Sequence, residues 1–151
     1  MDIKAVSRTL LIVIIAIIVI IAGVAAFFLS QQPQQITATV NLEIKAPTGK
    51  TSGDSAELEL YSDSVNKTFK VGDVIKIVLT NNFNFPLGEH AFRLTLGGKE
   101  IATIRAPSNG KGEVIVKLDT SGQVLATCLT FCGAWHTEIG KMVNVVIFNV
   151  A

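Results

Sequence analysis

VGDVIKIVLTNNFNFPLGEHAFRLTL, residues 71–96, holds two runs of alternating apolar and polar side chains with a loop between them. In Val74–Thr80, Ile75, Ile77 and Leu79 fall on one side and Lys76 and Thr80 on the other. In Ala91–Leu96, Phe92, Leu94 and Leu96 oppose Arg93 and Thr95. A period of two belongs to a half-buried β-strand. The pattern continues outward from this stretch. Glu113–Leu118 aligns Val114, Val116 and Leu118 against Lys117, and Lys141–Val150 is rich in β-branched residues, interrupted by Asn144, Phe148 and Asn149. Thr37–Ile44, Ala56–Tyr61, Lys67–Val71, Ile101–Ile104 and Gln123–Thr127 complete about nine predicted strands. Gly53-Asp54, Gly72-Asp73, Gly97-Gly98, Asn109-Gly110 and Ser121-Gly122 supply the turns between them. Residues 37–151 therefore read as one all-β sandwich or barrel, with no helical pattern longer than a turn.

The other end of the chain is different. LLIVIIAIIVIIAGVAAFFL, residues 10–29, carries no charged or polar side chain and explains a mean hydropathy of +0.49. As a helix it would span about 30 Å, the thickness of a bilayer's hydrocarbon core. Lys4 and Arg8 precede it and the next charge is Glu43, so the positive-inside rule puts residues 1–9 in the cytoplasm and residues 31–151 outside. Residues 30–36 form a linker in which Pro33 stops the helix. A cleaved signal peptide competes with this reading, because Gly23–Ala26 offers small residues to a peptidase. Signal-peptide apolar regions are usually shorter, about 7–15 residues, which favours an uncleaved anchor. Processing near residue 5, as in archaeal pilin-type leaders, is a further alternative.

Charge narrows the partners. With Lys4, Arg8 and Asp2 set aside, eleven basic residues balance eleven acidic ones, and no basic run occurs. Nucleic acid is not an expected partner. The part beyond the membrane segment also lacks a Ser-His-Asp set, a Gly-rich phosphate loop and a metalloprotease motif.

Cys and His are scarce, two of each, and Cys128, Cys132 and His136 fall within nine residues. His90 stands 38 residues before Cys128, at the head of a predicted strand. Thiolates with imidazoles on loops at one end of a β-sandwich suit copper, or less often zinc. A Cys128–Cys132 disulfide is the alternative that an extracellular compartment would permit. It would close a very small loop and would leave both histidines unexplained.

CLTFCGAWHTEI, residues 128–139, resembles the ligand loop of the binuclear CuA centre. That centre occurs in subunit II of haem-copper cytochrome oxidases and in nitrous-oxide reductase. Cys128, Cys132 and His136 stand at the family's spacing, Gly133 follows the second cysteine, and His90 falls in the upstream window. Residues 71–92 also resemble the family's strand and His-bearing loop, and the similarity covers about residues 67–150. It implies a cupredoxin-like Greek-key β-sandwich in which Cys128 and Cys132 bridge two copper ions. His90 and His136 would each cap one ion, and the Thr130 carbonyl would be a weak ligand. One position departs from the pattern: the family's weak methionine ligand would stand at Ile139, and Met142 lies three residues further on. Either a longer loop lets Met142 serve as the axial ligand, or one copper lacks its thioether and Met142 fills the core.

The resemblance further implies an electron-transfer subunit of a haem-copper terminal oxidase, anchored in the cell membrane and without a catalytic centre of its own. It would take electrons from an extracellular cytochrome c or blue-copper protein and pass them to haem in subunit I. Phe83, Phe85 and Trp135, near the expected ligands, would dock such partners or shield the metal from water. Two rival readings are a stand-alone carrier with one copper on His90, Cys132, His136 and Met142, and an exported structural domain with the Cys128–Cys132 disulfide.

Overall fold

The computed structural model describes residues 8–30, 35–45, 58–83, 88–130 and 141–151. The chain forms two separate units, Met1–Gln34 and Gln35–Ala151. The first contains the helix α1 (Arg8–Ser30), which takes in the whole apolar run 10–29. Its side chains are described over 12–24, and the large aliphatic ones among them, from Ile12 to Val24, are exposed. Among the described residues no helix meets the length and apolarity needed to cross a membrane.

The second unit is a β-sandwich. Its strands are β1 (Ala38–Lys45), β2 (Glu59–Ser62), β3 (Thr68–Phe69), β4 (Val74–Asn81), β5 (Glu89–Leu96), β6 (Lys99–Pro107), β7 (Gly110–Lys117), β8 (Gly122–Cys128) and β9 (Val145–Val150). One sheet has the order β2-β1-β4-β7 and the other β3-β9-β8-β5-β6. The β1–β4 and β3–β9 pairs are parallel, and the other pairs are antiparallel. The alternation seen in the sequence decides which sides face inward. Val40, Leu42 and Ile44 of β1, and Ile75, Ile77 and Leu79 of β4, are buried against Phe92, Leu94 and Leu96 of β5 and Val124 and Ala126 of β8. Burial of each large apolar side chain contributes about 1.5–3 kcal/mol, and the two apolar faces have only each other to bury against.

Several boundaries differ from the sequence expectation. The last strand begins at Val145 rather than Lys141, because Asn144 adopts a left-handed φ of 50° that ends the alternation. The Asn144 N–H donates to Thr127 Oγ1 at 3.2 Å, and the Thr127 hydroxyl donates back to Asn144 Oδ1 at 3.3 Å. The β6 strand is longer than Ile101–Ile104 and β3 is shorter than Lys67–Val71. The short β3 is held by its pairing to β9 and by the edge-to-face contact of Phe69 with Phe148, with ring centroids 5.0 Å apart.

The β6–β7 turn is one of the connections that cross between the two sheets. Asn109 takes a φ of 52° there, and the chain passes from one sheet into the other. Just beyond the turn, Gly112 lies against the β6 backbone so closely that a Cβ would fall 1.6 Å from the Arg105 carbonyl oxygen. Only glycine allows this approach. The turn is also the corner of the sandwich nearest His90, since His90 pairs with Ala106 across β5 and β6.

Candidate metal centre

His90 is the second residue of β5, and its parity with Phe92, Leu94 and Leu96 turns it to the inner face, where it is 0% exposed. Cys128 ends β8 with the same inward parity as Val124 and Ala126. The register opposes Phe92 to Cys128, so His90 and Cys128 are diagonal neighbours on one face. In an antiparallel pair such neighbours lie about 7–8 Å apart, within reach of long side chains. Two residues distant in sequence thus stand as neighbours on the inner face at one end of the five-stranded sheet.

Backbone contacts fasten the surroundings of these two residues. The Leu129 N–H donates to the Ala91 carbonyl at 2.8 Å, and the Ala91 N–H donates to Thr130 Oγ1 at 3.2 Å. The Cys128 thiol donates to the Thr130 carbonyl at 2.9 Å. That carbonyl therefore lies beside the thiol sulfur. The Cys128 N–H donates to the Met142 carbonyl at 2.8 Å, so the chain segment leaving at Cys128 returns directly beside it. The Met142 side chain is fully buried within the core cluster that also contains Cys128. On the returning limb, the Leu60 N–H donates to the Lys141 carbonyl at 3.0 Å, and the Lys141 ammonium pairs with Glu59 of β2.

Burial pushes the His90 imidazole below its ordinary titration range, because the charged form is poorly solvated there. The shift favours the neutral ring, the form that binds metals. A soft thiol, a neutral imidazole and a carbonyl oxygen gathered at the end of a sheet fit copper. Among the described residues no group of three or more His, Cys, Asp and Glu side chains converges. Cys132, His136 and Ile139, with Phe85 and Trp135, lie outside the described residues. Phe83 is half-buried and packs against the core, and Asn109 donates to its carbonyl at 3.2 Å.

Two contributors to this end of the molecule escaped the reading of the sequence. Asn81 is fully buried, and its place in the inward series Ile75, Ile77, Leu79, Asn81 was a legible signal of a buried amide. The Glu59–Lys141 pair had no such signal, since 82 residues separate its members.

No family model matches the chain, and no curated protein matches it. Solved structures similar to it include auracyanin B, at 16% identity over 79% of this chain and 92% of that one, with a TM-score of 0.49. Auracyanin A, a blue copper protein of Chloroflexus aurantiacus, is similar at 20% identity over 61% of this chain and 88% of that one, TM-score 0.41. A chain of a haem-copper terminal oxidase dimer is similar at 18% identity over 82% of this chain and 89% of that one, TM-score 0.38. All three scores are below 0.5, and the functional reading rests on the chain's own residues.

Proposed function

We propose that this chain is a membrane-anchored cupredoxin that carries electrons through a CuA-type copper centre, as subunit II of a haem-copper terminal oxidase. The observation that carries the reading is the meeting of His90 with Cys128 on the inner face of one sheet end, with the Thr130 carbonyl beside the thiol. The CLTFCGAWHTEI motif adds Cys132 and His136 as the remaining donors. Copper bound there would supply a one-electron couple with no open coordination position for a substrate. The protein's part is to hold the donors on a rigid sandwich and to exclude water from them. The run at 10–29 would anchor the chain, leaving the sandwich outside the cell, where a cytochrome c or blue-copper donor could reach it. Haem and the oxygen-reducing site would belong to the partner, subunit I.

The test is copper reconstitution of the full chain in detergent. Two copper ions per chain and a seven-line hyperfine pattern in paramagnetic resonance are expected, because one unpaired electron is shared by two nuclei. A four-line pattern with one ion would replace this reading by the mononuclear carrier. No copper uptake, with a Cys128–Cys132 disulfide by mass spectrometry, would overturn both. His90→Ala is expected to displace the visible thiolate-to-copper bands. An unchanged spectrum would remove His90 from the ligand set.

A further inference from the structure

We infer that Asn81 is a positioning residue for His90, an inference that rests on the copper reading above. Asn81 ends β4 in the four-stranded sheet, while His90 is the second residue of β5 in the other. The Asn81 side chain is 0% exposed and makes three hydrogen bonds. Its Nδ2 donates to the Ala106 carbonyl at 3.4 Å and the Pro107 carbonyl at 3.1 Å, and its Oδ1 accepts the Phe83 N–H at 3.1 Å. Ala106 and Pro107 are the β6 residues that pair with His90 and Glu89. One buried amide therefore ties the end of the first sheet to the part of the second that lies beside His90.

Both described ends of the connection between β4 and β5 are held at the same corner, the first by Asn81 and the second by Ser108. Phe83, held by Asn81 Oδ1, offers its carbonyl to the Asn109 N–H at 3.2 Å, and the Ser108 N–H donates to the Gly88 carbonyl at 2.9 Å. Gly110, which pairs with Asn81 across β4 and β7, closes the same turn against Pro107. The start of His90's strand is thus fastened to the β6–β7 corner, and the corner is fastened by Asn81. Cys128 is held by its pairing to Phe92, further along β5, and by its bond to Met142. Loosening Asn81 would move the imidazole relative to the thiol and leave the thiol where it is.

An amide is the group that this position requires. Two carbonyls need two N–H donors from one side chain, and a backbone N–H needs an acceptor from the same side chain. Aspartate has the shape but presents oxygens to the Ala106 and Pro107 carbonyls, and so repels them. Serine keeps a single hydroxyl, donates once and is small enough to spare the fold.

The experiment compares the full chain with Asn81→Asp and Asn81→Ser, and with Leu96→Ala at the far end of β5 as a control matched in thermal stability. Copper affinity, visible bands and paramagnetic resonance are recorded for each. Supporting outcomes are shifted bands with about tenfold to a hundredfold weaker copper binding in the Asn81 variants, and a wild-type spectrum in the control. Should Asn81→Asp not fold, Asn81→Ser carries the comparison. If the Asn81 variants lose only stability and keep the wild-type spectrum and affinity, the inference is overturned and the copper reading stands. If the wild-type chain takes up no copper, the copper reading is overturned and the inference with it.

Discussion

Met142 has two roles at once: its carbonyl receives the Cys128 N–H at the end of β8, and its side chain is fully buried in the core. The burial favours the packing role over the axial one. Met142→Leu keeps volume and polarity, so the expected cost is below about 1.5 kcal/mol, with the visible spectrum of the copper form unchanged. Urea unfolding and absorption of the same variant check both halves. A displaced thiolate band would make Met142 the axial donor in place of the absent methionine at Ile139. Asp63 gives a pH prediction away from the centre. Partial burial raises its carboxyl, but hydrogen bonds from Ser64 and Asn41 and the nearby Lys67 outweigh that and hold it below its ordinary value of 3.8. Its two oxygens take the Asn41 N–H at 3.1 Å and the Asn41 side-chain amide at 2.8 Å. A carboxyl whose folded pKa is depressed contributes stability above its unfolded value and loses it as pH falls through the folded one. The apoprotein is expected to lose stability below about pH 4 by this route. Asp63→Asn should flatten that acid limb and leave the slope near neutrality alone. Thermal melts across the two ranges would show it, and an unaltered acid limb would remove Asp63 from the account.

At the level of elements, the alternation in β1, β4, β5 and β8 was visible residue by residue, because a strand with one buried side has a strict period of two. The ends of strands were harder to place. Asn144 looks compatible with a continuing strand until its left-handed backbone and its exchange with Thr127 are known. Gly112 is the point where β7 lies against the β6 backbone. Gly112→Ala is expected to cost about 3 kcal/mol, because the Arg105 carbonyl cannot yield without moving β6. Thermal unfolding of the apoprotein measures this, and a loss below about 1 kcal/mol would mean that the corner is more pliant than its geometry implies. The α1 helix carries a prediction of the same rank. The full chain should stay with membranes on alkaline carbonate extraction, and a chain starting at Gln35 should be released. Release of the full chain would argue against an anchor at 10–29.

In the whole molecule, the division of labour follows from which interactions are local. The chain's own order of residues carried the strand alternation within residues 37–151, the uniformly apolar run at residues 10–29, and Cys128, Cys132, His136 and His90 as candidate donors. Side-chain alternation, unbroken hydrophobicity and motif spacing are all properties of neighbours along the chain. Sheet membership was decided only by tertiary structure. The parallel pairing of β1 with β4 and the crossing from β6 to β7 depend on long-range closure, which no short window records. So did the meeting of His90 with Cys128, which exists because β5 and β8 pair in a register that sets Phe92 against Cys128. A slip of one residue would have turned either side chain out of the core. The bracing of that end by Asn81 likewise needed the fold, for its two carbonyl partners lie in another sheet and come 25 and 26 residues later in the chain. Sequence names the groups able to do chemistry, and the packing of two apolar sheet faces decides which of them are held together, because burial is satisfied only by the closed sandwich.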